Sequence, residues 1–143
     1  MIEKWSSVVN KNFNDAAFNY NNSASIQKDT ALKLAKICSS HSITNGFWVD
    51  LGSGTGLLAK SLESLHPNQS VMRLDNSEKM LDQHSEKSSK QLWDLNNGLP
   101  QWSKKPNLLA SSFVLHWLDN PQKQLKEWFN SLSSNGWIAL AIP

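Results

Sequence analysis

The chain holds a single cysteine, a single arginine and a single tyrosine, and each scarcity excludes something. With Cys38 alone there is no internal disulfide. Its presence fits a reducing cytoplasm, and as a small apolar residue on a helix face it needs no further role. With Arg73 as the lone arginine and Lys104-Lys105 as the only adjacent basic pair, bidentate phosphate recognition has few donors. A net charge of +2 spread this thinly is ordinary solvation, so no nucleic-acid partner is expected. The longest apolar run, Trp137 to Ile142, falls far below the ~20 residues that span a bilayer. Residues Met1 to Phe13 lack the apolar stretch of a signal peptide. The reading is a soluble, cytoplasmic protein with no membrane partner. His41, His66 and His84 show no metal-ligand spacing with one another or with Cys38, so no metal is expected.

What is present is an alternation of short apolar runs and amphipathic stretches. At 143 residues the chain suits one domain with a core of its own, without repeats or linkers. Residues 26 to 38 place Ala31, Leu34, Ala35 and Cys38 at helical spacing. Phe47 to Leu51 reads as a first strand, buried on both faces except at Asp50. Thr55 to Leu65 follows as a helix with Leu58, Leu62 and Leu65 on one stripe. Val71 to Leu74 is a second strand ending at Asp75. Ser77 then offers an N-cap to a helix carrying Met80 and Leu81, with Glu78 at its positive end. Asp82 to Lys90 is polar and without pattern. Gln91 to Trp93 and Leu108 to Ser111 read as third and fourth strands. Asn120-Pro121 supplies a cap and a first-turn proline to a helix burying Leu125, Trp128, Phe129 and Leu132. Asn135-Gly136 turns into Trp137 to Ile142, a strand expected to be covered on both faces. Such alternation calls for a parallel sheet with right-handed crossovers. In these sheets ligands sit at the carboxyl ends of the strands. Asp50, the glycines after it, Asp75, Asp94 and Ser111 all fall at or near those ends.

The segment Asp50-Leu51-Gly52-Ser53-Gly54-Thr55-Gly56 concentrates the signal. A plain turn needs neither three glycines nor an aspartate inside the preceding strand, and a buried carboxylate without donors is expensive. Two ligands suit such a loop. From Gly54, the run to Ala59 satisfies the alanine form of the dinucleotide pattern, but that register leaves Gly52, Ser53 and Asp50 without a purpose. Asp75 suits the ribose of any adenosine-containing cofactor.

The same seven residues resemble the D-x-G-x-G-x-G loop of class I S-adenosylmethionine-dependent methyltransferases. That resemblance implies a Rossmann-like doubly wound α/β fold with strand order 3-2-1-4-5 and S-adenosyl-L-methionine as cofactor. It implies binding by Asp50, Gly52, Ser53, Gly54 and Gly56. Asp50 would answer the cofactor's ammonium, and the amides opening the next helix would favour its carboxylate. Leu74-Asp75-Asn76-Ser77 with Met80-Leu81 is similar to the family's LDxSxxML segment. The resemblance gives Asp75 and Asn76 to the ribose side and Met80 to the adenine. Trp93-Asp94-Leu95 with Leu99-Pro100 is similar to the DxxxLP segment, with Asp94 accepting from the adenine amine and Leu95 beside the ring. Ser111 to Trp117 resembles the segment over the transfer site. Within the superfamily, Phe13, Ala16, Ala17, Tyr20, Ala24 and Gln27 together resemble the N-terminal signature of malonyl-acyl-carrier-protein O-methyltransferases of biotin synthesis. Trans-aconitate-type enzymes share parts of the pattern.

These resemblances imply methylation of a free malonyl carboxylate on a carrier protein. The alternatives are another small-metabolite acceptor or a non-catalytic cofactor-binding fragment. Residues 1–45 would form a helical lid and 46–143 the core. Tyr20 and His116 are the catalytic candidates. An acceptor carboxylate, ionised above ~4, needs no general base, which leaves positioning and water exclusion as the main effects. Three residues depart from the family pattern: Asn107 stands where an aspartate usually opens strand four, His116 where the subgroup has glutamine, and Asn135 where the final LxxGGxLxxxx strand entry, resembled by Leu132 to Ile142, has its first glycine. Because the family fold continues with two further strands, the expectation is that the sequence is a fragment or that a second polypeptide supplies them. An apolar strand left at the edge would otherwise invite aggregation.

Overall fold

The structure, a computed structural model, describes residues 24–143. Tyr20 and the earlier part of the N-terminal signature lie outside the described residues. The elements are α1 (Ala24–Ser39), β1 (Trp48–Leu51), α2 (Leu57–Leu65), β2 (Val71–Asp75), α3 (Glu78–Leu81), β3 (Lys90–Leu92), β4 (Leu108–Ser112), α4 (Pro121–Ser131) and β5 (Trp137–Ala141). Short 3-10 turns at Leu95–Asn97 and Leu115–Trp117 flank β4. All strand pairs are parallel and the order is β3-β2-β1-β4-β5, as the alternation and the resemblance led us to expect.

The sheet separates two cores, because successive strand residues point to opposite faces. On one face Trp48, Val71, Leu108 and Ala110 meet Ala31, Leu34, Ala35 and Cys38 of α1 and Leu58, Ala59 and Leu62 of α2. The 1–45 segment, expected from the sequence to be a lid, therefore includes a helix, α1, that packs in this core. On the other face Val49, Leu51, Leu74 and Leu109 surround Trp128 of α4. Asp50 and Arg73 are register partners on β1 and β2, and both bond to α2. They are polar residues among the apolar ones of the α2 side.

The caps follow the sequence. Ser77 Oγ accepts from the Met80 amide at 3.3 Å, and Asn120 Oδ1 accepts from the Lys123 amide at 3.2 Å ahead of Pro121. Asn107 pins the start of β4. Its Oδ1 accepts from the Phe47 amide at 3.0 Å and its Nδ2 donates to Ser133 Oγ at 3.2 Å.

Four expectations are corrected. Asp50 is not the exposed exception on β1, because α2 covers it and leaves it 1% exposed. Gly56 sits at φ 91° and delays the start of α2 to Leu57. The helix then buries Leu58 and Leu62 but carries Leu65 past the sheet, where it is 44% exposed. On α4, Gln124 and Trp128 are the buried pair, four residues apart. Phe129 lies about 100° further round the helix and is exposed. β5 hydrogen-bonds to β4 alone. Ala139 and Ala141 pack toward α1 and α2, and Ile138 and Leu140 toward the Trp128 core. With no strand on its outer edge among the described residues, β5 is only partly covered.

Candidate functional site

The carboxyl ends of β1, β2 and β4 open onto a cavity of about 300 Å³, the scale of a small-molecule site. Its floor is the loop after β1. Asp50 stands one residue before the end of β1, and its Oδ2 accepts from the Ala59 amide of α2 at 3.2 Å. Ser53 N donates to the Leu74 carbonyl at 2.8 Å, which ties the loop to β2. Gly54 N donates to Asp75 Oδ2 at 2.9 Å, while Asp75 Oδ1 accepts from the Ser77 amide at 2.9 Å. Gly54 has φ +54°, a conformation that costs an L side chain ~1–2 kcal/mol, and a Cβ placed there would meet nothing within 4 Å. The backbone at this point faces open space where a ligand can approach.

Both carboxylates are held in unusual states. Burial pushes Asp50 up to about 7, against the Ala59 hydrogen bond and the nearby Arg73 charge, and Asp75 raises it further. Burial also raises Asp75, opposed by the Gly54 and Ser77 amides. Two polar atoms in the wall lack partners: Ser53 Oγ and Gln27 Oε1 are buried without a hydrogen bond. Orphaned polar atoms beside an open cavity are placed for a ligand.

Most of the residues singled out from sequence come together here. Asp50, Gly52, Ser53, Gly54, Asp75, Asn76, Met80, Asp94, Leu95 and His116 all line the cavity. Asp94 Oδ1 accepts from the Asn96 amide at 2.9 Å and caps the turn that carries buried Leu95. His116 lies against Trp117 with ring centroids 4.5 Å apart and ring planes tilted by 36°, and partial desolvation lowers its pKa, which favours the neutral ring. Two residues sit elsewhere. Ser111 is inside the sheet, its Oγ donating to the Leu51 carbonyl at 2.8 Å, and Ser112 and Phe113 reach the cavity in its place. Gly56 lies behind the loop against His84.

Sequence reasoning gave no individual role to several wall residues, Trp93, Ser112 and Phe113 among them. Trp93 was quoted beside Asp94 without a role of its own. Ser112 lay one residue past the predicted end of the fourth strand. Phe113 carries φ 58°, a strained backbone for a bulky residue, and the sequence placed it only within the Ser111 to Trp117 segment over the transfer site. Among the described residues no group of His, Cys, Asp and Glu is arranged to hold a metal, and no helix is long and apolar enough to cross a membrane.

Comparison with known proteins agrees with this geometry. The family described as "Methyltransferase domain" matches residues 49–140. A trans-aconitate 2-methyltransferase of Mycobacterium tuberculosis (strain ATCC 25177 / H37Ra) is 33% identical over 98 residues, covering 66% of this chain and 36% of the relative. A malonyl-[acyl-carrier protein] O-methyltransferase 1 of Ilyobacter polytropus is 29% identical over 139 residues, covering 93% of this chain and 51% of the relative. The chain thus spans about half or less of the length of these curated relatives. Among solved structures, the plantazolicin methyltransferase BpumL in complex with SAH superposes with a TM-score of 0.73 at 16% identity, over 92% of this chain and 57% of that one. The DhpI-SAM-HEP complex gives 0.73 at 17%, over 94% and 63%. At such identities the superpositions establish the shared fold.

Proposed function

Because this chain belongs to the methyltransferase-domain family, we propose that its cavity binds S-adenosyl-L-methionine and that the protein transfers the methyl group to a carboxylate of a small or carrier-bound acid. One observation carries the reading. Two carboxyl groups, each pushed toward its neutral form by burial, flank a glycine loop whose Ser53 hydroxyl lacks a partner. Such a floor gains from a ligand that brings positive charge and further hydrogen-bonding groups. S-adenosylmethionine supplies an ammonium, a carboxylate and a sulfonium, whose electrophilic methyl group is its chemical contribution.

Each residue then has a task. Asp50 meets the ammonium, Ser53 and the amides opening α2 meet the carboxylate, and Asp75 and Asn76 take the ribose hydroxyls. Met80 and Leu95 sandwich the adenine, whose amine donates to Asp94. Gln27 closes the wall from α1, and the lid role assigned to residues 1–45 rests on the part before α1, Tyr20 included. His116, neutral and at the mouth, orients the acceptor without taking a proton. An acceptor carboxylate is already ionised at pH 7, so the chain needs only to align it in-line with the methyl group and exclude water.

The carboxylate acceptor follows from the two kinds of relative. Aconitate is a tricarboxylic acid and a malonyl group ends in a carboxylate, and both names describe methylation at such acids. A carrier-protein-bound malonyl group remains the specific substrate we favour, on the match that runs along 93% of the chain. Calorimetric titration with S-adenosylmethionine, then methyl-transfer assays with malonyl-carrier protein and with trans-aconitate, test the reading in order. No cofactor binding by the folded chain refutes it. Binding with transfer to neither acid refutes the carboxylate assignment, and transfer only to trans-aconitate replaces the malonyl one.

A further inference from the structure

The chain's only arginine is buried in β2, at 2% exposure, and the cofactor reading leaves it unused. A guanidinium has five hydrogens to place and accepts none. Arg73 Nη1 and Nη2 donate to Glu63 at 2.7 and 2.8 Å, and Nη1 also donates to the Val71 carbonyl at 2.8 Å. Its Nε donates to Nδ1 of His84 at 3.2 Å. His84 is itself buried, and its Nε2 lies 2.7 Å from the Gly54 carbonyl.

This geometry determines the tautomer. Nδ1 receives a hydrogen from a group that cannot accept one, so Nδ1 is bare and Nε2 carries the ring hydrogen, which it donates to Gly54. The backbone of Gly54 is therefore gripped on both sides, its amide by Asp75 and its carbonyl by His84. Gly56 makes room for the ring, since a Cβ there would lie 2.6 Å from His84 Cε1. The charged groups that face the ring are Arg73 from β2, Lys60 from α2 and Lys90 from β3, with Glu63 beyond Arg73. Burial and these cations lower the His84 pKa despite the Gly54 hydrogen bond, which keeps the ring neutral.

We propose that His84, oriented by the Glu63–Arg73 pair, is a positioning residue that locks the Gly54 carbonyl and thereby pre-forms the cofactor loop. The inference rests on the cofactor reading only for its consequence in affinity. The loop-ordering part stands on the free protein.

The test uses wild type, His84→Phe, which keeps the ring's bulk and removes both hydrogen bonds, and His84→Gln, which restores a donor at the Nε2 position. In the free wild-type protein, nitrogen-15 spectra are expected to show His84 bare at Nδ1 and protonated at Nε2. A hydrogen at Nδ1 overturns the proposal, whatever the variants do. Hydrogen exchange at the Gly54 amide should quicken at least tenfold in His84→Phe relative to amides of β1, and return to within about threefold of wild type in His84→Gln. Equal exchange in all three proteins overturns it. Affinity for S-adenosylhomocysteine should fall about tenfold in His84→Phe, one hydrogen bond's worth of pre-organisation, with recovery in His84→Gln. Unchanged affinity in a protein that binds the cofactor overturns the positioning role. If wild type binds no cofactor, it is the functional reading that fails, and the tautomer and exchange results still decide the loop-ordering claim.

Discussion

Asp50→Asn separates what the carboxylate costs the fold from what it does for a ligand. The residue is 1% exposed, and burial moves its ionisation from 3.8 to about 7. The folded state therefore holds a proton between those two pH values that the unfolded chain has released. Stability falls as pH rises through that window and levels off above about 7. Once ionised, the group has cost the fold about 4 kcal/mol. Asparagine keeps an acceptor for the Ala59 amide and carries no charge, but its NH2 group adds an unmatched donor worth about 1–3 kcal/mol. The variant should thus be more stable than wild type at pH 8 by about 1–3 kcal/mol, and no more stable at pH 4.5, as read by urea unfolding. Binding should go the other way. A charge-assisted hydrogen bond to an ammonium is worth about 1.5–3 kcal/mol, so affinity for S-adenosylmethionine should drop by roughly 10- to 150-fold. A variant equally destabilised at both pH values refutes the ionisation argument. One that binds as tightly as wild type refutes the ammonium assignment.

Wild type near pH 6.5 should release protons on binding S-adenosylmethionine, since a cation beside Asp50 favours its ionised form. Calorimetry in buffers of differing ionisation enthalpy measures this, and Asp50→Asn should reduce it. Trp128 is fully buried, so Trp128→Ala should cost about 3–5 kcal/mol, whereas Phe129→Ser, at a position 68% exposed, should stay within about 0.5 kcal/mol in the same unfolding assay. Cys38 is buried and its thiol is pushed up to about 11, so it should resist a disulfide-exchange reagent until urea unfolds the chain. His116→Gln should leave the pH profile of methyl transfer to a carboxylate unchanged above pH 7, because a neutral orienting residue contributes no proton.

The parts legible in the sequence were those where local chemistry and tertiary role coincide. A strand that ends in Asp75 and is followed by a capping Ser77 needs both residues locally, and the same strand end lines the cavity. Asn120-Pro121 caps α4 by rules that hold within one turn. What stayed hidden depends on distant partners. His84 lies in a stretch with no periodicity, and its significance comes from Arg73 and from Gly54, 30 residues away. Arg73 was read as a deficit of phosphate-binding side chains, when its place is inside the sheet. Leu65, Phe129 and β5 were judged by apolar pattern alone. That pattern marks which residues prefer burial and does not say how far the opposing element extends. Ser111 and Ser112 differ by one position, and a strand's alternation sends one into the sheet and the other to the cavity.

The same electrostatics distinguishes the two ligands that the glycine pattern leaves open. A pyrophosphate carries two negative charges. Seated on this loop, they would lie beside Asp75 and close to Asp50, each already disfavoured as a carboxylate by burial. The anion would drive both groups further toward protonation and would lose part of its binding energy doing so. Among the described residues no cation lines the wall, and Arg73 is committed to Glu63, the Val71 carbonyl and His84. An ammonium and a sulfonium reverse each term. They favour the ionised form of each carboxyl group, which burial and an anion both disfavour. The DxGxGxG register and the dinucleotide register therefore differ by more than spacing. The acid that makes the first one fit is also the charge that works against a phosphate.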